Sequence, residues 1–592
     1  MTTPSTPRDA GTPRSYDDLG AEARRAIPEI GASELRAATV GERGWRVIDV
    51  RDTGEFVESH IDGAVSLPRG GIEKGIAAAA EGATSIVVYC QTGMRSALAA
   101  ETLLRMGYAN VRSLAGGFGA WSKAGLPVVV GRRESEAGVD HKDWTSIRAD
   151  FGITARLVRT ASGVDRPLVY LDHAASTHPP STVVRAYANF LEREYANVHR
   201  ATYALARAAT DRFDRAFHTC AEFVRGNLTD GCIVFTANTT HGCDLVAHCV
   251  SHLPGKVMVT DLEHHSNDLP YRKRGEVVRA RISKEGRLDF QHVEELFRTE
   301  RIKLLSVCGA ANVTGWMPPI RKLARLAHEN GALIAVDAAQ LVAHVPIDVR
   351  ADDPAESIDF LITAGHKAYA PFGIGFVYAK RALLDAAEPY MPGGGTASTV
   401  SEGGVEFLAS PDRHQGGTPN IAGAIAFSEM LRYLSAVGMD RVREHELELM
   451  RPAWKALKEM GGITLYGPDA LDERVGIITF NVDDVNDMLT AAVLGEEFGV
   501  AVRNGRFCAH VHAANLMRNQ GGFTLAGDTP PSAVRASFGL YNDRSDVERL
   551  LEAIRAVREH KWKGTYRQRS SGMVDAERQW GGRCADAWME GA

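Results

Sequence analysis

The amino-acid sequence predicts an α/β protein: a small parallel-sheet domain comes first, followed by a large α/β domain that ends in a smaller α+β lobe. Three observations carry this. Strand-length apolar runs alternate with helical periodicity over residues 30–130, and the same rhythm resumes on a larger scale over residues 144–558. Between these stretches, residues 131–143 are polar and lack any strand pattern. Past Gly438 the alternation gives way to helices, a strand and a closing helix.

Taken in order, residues 1–27 are rich in Pro, Ser, Thr and Arg and read as a flexible tail. Residues 28–130 form the small domain, with strands predicted at 45–50 and 85–89 and an amphipathic helix at 96–106. Residues 131–143 are the linker. Residues 144–564 form the large unit, whose apolar runs at 256–260, 303–308, 333–336 and 360–363 suit strands buried on both faces. Helical stretches such as 320–330 separate them. The small lobe lies largely within 438–564, with a strand at 476–481 and a helix at 545–559. Residues 565–592 are polar, hold Trp580, Trp588 and Cys584, and show no periodicity, so they read as a second tail, disordered or docked on a partner.

Composition narrows the function. With 592 residues, 44% hydrophobic and 24% charged, the chain is long enough for several cores and has the balance of a globular protein. A formal net charge of −6 with scattered Lys and Arg argues against nucleic acid. No apolar run is long enough to span a membrane, and the first residues lack the apolar core of a signal peptide, so a cytoplasmic location is expected. The eight cysteines include no Cys-x-x-Cys pair, which argues against a zinc site or a disulfide framework. No metal is expected: His265, His510 and His512 lack supporting ligands and read as packing or solvent-facing. Cys220, Cys232, Cys243, Cys249 and Cys308 read as small buried hydrophobes.

Two loops carry cysteines in a different setting. Cys90-Gln91-Thr92-Gly93-Met94-Arg95 follows a predicted strand and precedes a predicted helix, so backbone N–H groups, the helix dipole and Arg95 would stabilise an anion there. Surroundings of that kind favour a thiolate or persulfide. The segments Val47-Ile48-Asp49-Val50-Arg51, His60-Ile61-Asp62-Gly63-Ala64 and Leu114-Ala115-Gly116-Gly117-Phe118, with Trp121, together resemble a single-domain rhodanese. The resemblance implies a persulfide on Cys90, cradled by the amides of Gln91 to Arg95.

Lys367, at the end of the run 360–363, is placed to form a Schiff base with an aldehyde cofactor. Asp337 ends the run 333–336 at the sheet edge where ligands bind, and an acid there would keep a pyridinium nitrogen protonated. Gln340 is placed to reach the ring hydroxyl, and Thr239 and Thr240 open a helical stretch suited to a phosphate. Together with Tyr170-Leu171-Asp172-His173-Ala174-Ala175, Asn197-Val198-His199-Arg200, Glu263-His264-His265-Ser266-Asn267, Asn312-Val313-Thr314-Gly315, Gly365-His366-Lys367 and Gly417-Thr418-Pro419-Asn420, these residues resemble the class V aminotransferases. Within that group they are similar to the cysteine desulfurases.

The resemblance implies a fold-type I PLP-dependent transferase with pyridoxal 5'-phosphate as cofactor and L-cysteine as substrate. It places His264 over the ring, His366 beside the cofactor, Asn312 near substrate and ring, and His199 at the substrate. Thr418 would reach the phosphate of a partner subunit, which implies a homodimer. Arg503 and Cys508 match the loop bearing the nucleophilic cysteine, and Arg535 matches the clamp of the substrate carboxylate. The implied reaction has Lys367 move the α-proton while the Cys508 thiolate takes the substrate sulfur, leaving alanine and a persulfide that passes to Cys90 and then to an acceptor protein or small thiol. The alternative is a selenocysteine lyase or other class V C–S or C–Se lyase, with the rhodanese-like domain served by a separate sulfur donor. Four departures stand out: Ala364 replaces a phosphate-binding hydroxyl, Arg506-Phe507 replaces a pair that is commonly histidine, the stretch from Cys508 to Arg535 is long, and Gln415 replaces an acid.

Overall fold

The computed structural model describes residues 16–41, 44–51, 55–56, 59–130, 142–199, 201–520, 531–568 and 574–577. The chain divides into two compact units, residues 1–139 and 140–592. Most of the expected linker, residues 131–141, and Cys584, Trp580 and Trp588 lie outside the described residues.

The first unit is built on a five-stranded parallel sheet in the order Glu29–Ile30, Val111–Leu114, Ser85–Tyr89, Trp45–Asp49, Val65–Ser66. Its central strand Ser85–Tyr89 is buried over its last four residues, as the continuous apolar run requires. The helix that follows spans Met94–Arg105, two residues earlier than its apolar periodicity indicates, because Gly93 at φ +100° turns the chain into it directly. The expected N-terminal tail is corrected in part. Tyr16–Ala26 is a helix, and Ala23 and Ile27 are buried in the same cluster as Ile48, Cys90 and Ala97. The run of Pro, Ser and Thr that suggests disorder stops before this segment, whose buried residues recur at helical spacing.

The second unit holds a seven-stranded sheet in the order Gly231–Thr236, Gly375–Lys380, Phe360–Ile362, Leu333–Asp337, Ile302–Cys308, Lys256–Thr260, Val277–Ala280. Only Gly375–Lys380 runs antiparallel to its neighbours. Helix Ile320–Glu329 covers one face, with Leu323, Ala324 and Ala327 buried. The register pairs Cys308 with Asp337 and Asp337 with Ile362, which brings the carboxyl ends of three parallel strands to one edge. That edge is the ligand-binding side of such sheets.

The small lobe is a four-stranded antiparallel sheet, Ile463–Tyr466, Ile477–Val482, Ala533–Ser537, Arg503–Gly505, flanked by helices Met439–Met460, Asp487–Phe498 and Arg544–Arg558. It also recruits an early segment. Val169–Tyr170 pairs in parallel with Val500–Ala501, and Val169 and Leu171 are buried in the lobe's core. The C-terminal tail expected from residue 565 is likewise corrected: Thr565–Gln568 and Val574–Glu577 form an antiparallel hairpin. Glu497 anchors its approach by accepting hydrogen bonds from the amides of Lys563 and Gly564 and from the Tyr566 hydroxyl. Among the described residues no helix is long and apolar enough to cross a membrane.

Arg474 ties the lobe to the large sheet. Its guanidinium is fully buried, stacks 4.3 Å over the Trp454 ring, and donates to the carbonyls of Thr314, Tyr466, Pro468 and Ile477. Replacing it by leucine removes the buried donor shared by these four carbonyls. Arg474→Leu is therefore expected to lower unfolding stability by about 3 kcal/mol, read as a reduced denaturant midpoint.

Candidate active site

At the carboxyl edge of the large sheet a cavity of about 330 Å³ is lined by residues of both the sheet domain and the small lobe, among them Thr239, His264, Asn312, Asp337, Lys367 and Cys508. Lys367 lies in a short turn, Gly365–Lys367, immediately after the strand Phe360–Ile362. Burial holds its amine below the usual lysine range, against the opposing pull of Asp337, so the neutral base is more accessible than on a surface lysine. Asp337 is buried at the end of its strand and accepts the Ala339 amide at 2.9 Å. Burial raises its carboxyl, while that amide and Lys367 favour the carboxylate.

His264 is held at a pKa of about 3, first by burial and then by the charge of Lys367. The imidazole is thus neutral at ordinary pH. Its Nδ1 accepts the Ser266 amide at 3.1 Å, which assigns the ring proton to Nε2. Ser266 Oγ also lies 2.7 Å from Thr240 Oγ1, linking the histidine turn to the start of helix Thr239–Cys249. Asn238 caps that helix by accepting the His241 amide, a contact whose loss costs about 1 kcal/mol. His366 also lines the cavity, held neutral with a pKa of about 4 by burial.

A cofactor carrying a phosphate and an aromatic ring fits these residues. Thr239 Oγ1, Gln340 Oε1, Asn312 Oδ1 and Arg535 Nε are buried polar atoms without a protein partner, and all four residues line this cavity. Thr239, Thr240 and Ser266 suit the phosphate, Asp337 the ring nitrogen, His264 the ring face and Lys367 the aldehyde carbon. Gln340 Nε2 donates one of its two N–H groups to the Ala174 carbonyl at 2.6 Å, which leaves the second N–H and the unpartnered Oε1 for the ring hydroxyl. Thr363 does not replace the hydroxyl missing at Ala364, because its Oγ1 bridges the N–H and carbonyl of Phe376 across the sheet.

The opposite wall comes from the small lobe. Arg503 and Arg535 face each other across adjacent strands. Arg535 is buried, donates to the Asn312 carbonyl at 2.8 Å, and lies 4.8 Å from the Phe507 ring centre. Phe507 and Cys508 both adopt positive φ, +54° and +52°, an uncommon conformation for residues with side chains. Two contacts hold this turn: Asn312 Nδ2 donates to the Phe507 carbonyl at 2.8 Å, and the His265 amide to the Cys508 carbonyl at 2.8 Å. Cys508 is exposed, whereas Cys220, Cys232, Cys243, Cys249 and Cys308 are buried as expected. His510 packs edge-on against His265, and His512 is fully buried.

His199 and Thr418 are not brought to this cavity within the chain. They line a separate cavity of about 420 Å³ with Asn197, Asp412 and Gln415, and His199 Nε2 lies 2.9 Å from Asp214. A role for His199 at the chain's own Lys367 cavity is thereby corrected.

In the first unit, Cys90 sits at the end of strand Ser85–Tyr89 and is only 1% exposed, beneath exposed Gln91 and Thr92. Its sulfur accepts the Gly93 amide at 3.2 Å and the Ser96 hydroxyl at 3.5 Å, and the Ser113 hydroxyl donates in turn to Ser96 at 2.9 Å. Arg95, at the end of this loop, forms a two-pronged pair with Glu55, at 2.8 and 3.0 Å. Gly117 packs against this turn so closely that an added Cβ would lie 2.2 Å from the Cys90 carbonyl.

Residues 169–550 match the family model of the class V aminotransferases, and residues 32–124 that of the rhodanese-like domain. The chain belongs to the class V aminotransferase family. It is 36% identical over 433 residues to a cysteine desulfurase of Haloferax volcanii, a match spanning 70% of this chain and 97% of that protein. It is 34% identical over 421 residues to one from Escherichia coli K12, spanning 69% and 97%. Two solved structures have the same fold. The apo cysteine desulfurase of Thermococcus onnurineus matches at 29% identity with a TM-score of 0.63, over 70% of this chain and 98% of that one. An Escherichia coli cysteine desulfurase in its S-sulfonic acid form matches at 30% identity with a TM-score of 0.60, over 71% and 99%.

Within this class V chain, sequence reasoning overlooked Ser266, Cys308 and Ala174 as cavity lining. Cys308 carried a signal, since it ends the strand paired in register with Asp337. Arg535→Lys keeps the charge but loses the planar two-pronged donor. We expect it to lower kcat/KM for an α-amino acid substrate by roughly 100-fold, mostly through KM, in steady-state kinetics.

Proposed function

We propose that the protein is a pyridoxal 5'-phosphate-dependent cysteine desulfurase that converts L-cysteine to L-alanine and carries the released sulfur as a persulfide, first on Cys508 and then on Cys90. The observation that carries this reading is the presence of one exposed thiol, Cys508, on the wall of the cavity that holds Lys367, Asp337 and Arg535.

When bound, the cofactor draws electron density from the substrate α-carbon, which labilises the α-proton and weakens the carbon–sulfur bond. The residues supply the rest. Arg535 and Asn312 hold the substrate carboxylate, with the Phe507 ring against the guanidinium. Lys367, its amine held below the usual lysine range by burial, takes the α-proton at Nζ and returns a proton to carbon. The Cys508 thiolate attacks the substrate sulfur: the new S–S bond forms as the Cβ–S bond breaks, and the departing electron pair is protonated to give the methyl group of alanine.

Transfer to Cys90 is a thiolate–persulfide exchange. The Gly93 amide and the Ser96–Ser113 hydroxyl chain are suited to stabilise sulfur anion there. An acceptor protein or small thiol would then discharge Cys90. The second cavity with His199 and Thr418 suits a homodimer in which these residues complete the partner's site. Seven free cysteines among the described residues suit a reducing compartment such as the cytoplasm.

The test is direct: purified holoenzyme supplied with L-cysteine should form alanine and thiol-releasable sulfide in equal amounts. Preferential turnover of selenocysteine, without alanine from L-cysteine, would refute the assignment.

A further inference from the structure

The segment Tyr170-Leu171-Asp172 runs beside the small lobe, and its acid has no task in the reaction described above. Asp172 bridges to Ser537 at the end of the strand that carries Arg535. Its Oδ1 lies 3.4 Å from Arg535 and its Oδ2 3.8 Å from Arg503. The two arginines are directly opposed on antiparallel strands, an arrangement that places like charges side by side and is unfavourable without an anion between them. Asp172, with a side chain only 16% exposed, is that anion.

Within this cluster the two guanidinium groups and one carboxylate leave one net positive charge. Arg535 Nε is buried and unpartnered, so a donor remains for an incoming anion even with Asp172 in place. We propose that Asp172 is the resident counter-ion of the Arg503–Arg535 pair in the substrate-carboxylate pocket, a specificity-determining residue that limits the pair to one net positive charge and thereby favours ligands bringing a single carboxylate. Removing that charge strengthens the attraction for every anion, and more so for those carrying two charges. The identity of the natural ligand, an α-amino acid, rests on the desulfurase reading; the charge balance does not.

The test uses Asp172→Asn holoenzyme and two probes, L-alanine and inorganic sulfate, with affinities measured by calorimetry. Asp172→Asn should bind L-alanine about tenfold more tightly and sulfate by a larger factor, a tenfold change corresponding to about 1.4 kcal/mol. Asp172→Glu should keep the wild-type ratio of the two affinities. If Asp172→Asn does not fold, Arg503→Gln at the half-exposed arginine reads the same balance from the other side and should weaken sulfate more than L-alanine. Equal factors for the two probes, or weaker binding of both in Asp172→Asn, would overturn the proposal. A wild-type holoenzyme that binds L-alanine but forms none from L-cysteine would instead refute the desulfurase reading, and the binding comparison would still decide the role of Asp172.

Discussion

Cys508→Ala is expected to abolish alanine formation from L-cysteine while leaving the bound cofactor and its absorbance intact. Cys508 is the exposed thiol among the described cysteines, and it lines the Lys367 cavity. Its turn is held at positive φ by Asn312 and the His265 amide, so the sulfur is presented from a fixed backbone. The neighbouring Cys308 also lines the cavity, but burial pushes its thiol well above the ordinary range, with Glu263 and Asp337 adding to the effect, which makes it a poor substitute nucleophile. Loss of the attacking group should lower turnover by on the order of 10³-fold or more. Alanine release by Cys508→Ala at near wild-type rate, measured by amino-acid analysis, would contradict the assignment.

Lys367→Ala is expected to be at least as severe, and with a different signature. The variant lacks both the amine that anchors an aldehyde and the base at the α-carbon, so turnover should fall by roughly 10⁴-fold or more and the yellow absorbance of an internally bound cofactor should vanish. The folded state should survive. Lys367 is a buried amine whose charged form is disfavoured by its surroundings, and removing it leaves Asp337 with its Ala339 amide. Retained yellow colour in the purified variant would place the cofactor elsewhere.

Much of this was legible in the chain because the decisive residues end buried strands. Apolar runs at 85–89 and 256–260 coincide with the strands Ser85–Tyr89 and Lys256–Thr260, since a strand covered on both faces leaves an unbroken apolar signature. Asp337 and Lys367 terminate such runs, and their meeting at one sheet edge follows from parallel topology.

What the chain concealed depends on partners distant in sequence. The pairing of Val169–Tyr170 with Val500–Ala501 involves strands too short to leave a periodicity. The hairpin after residue 564 is stabilised by Glu497, and nothing local announces that contact. At the site, Arg95 pairs with Glu55 and Gln340 with Ala174, partners far away in the chain that no local pattern announces. Asp172 was visible within a motif, yet its meaning comes from the opposed Arg503 and Arg535, a register that only the folded sheet reveals.

The path of sulfur tests the account most directly. Holoenzyme is treated with L-cysteine labelled at sulfur, persulfides are alkylated, and the peptides bearing Cys508 and Cys90 are separated by mass spectrometry. The account expects label on both cysteines in the wild type, on Cys508 alone in Cys90→Ala, and on neither in Cys508→Ala. Label on Cys90 in the Cys508→Ala variant, or label confined to Cys508 in the wild type, would contradict it.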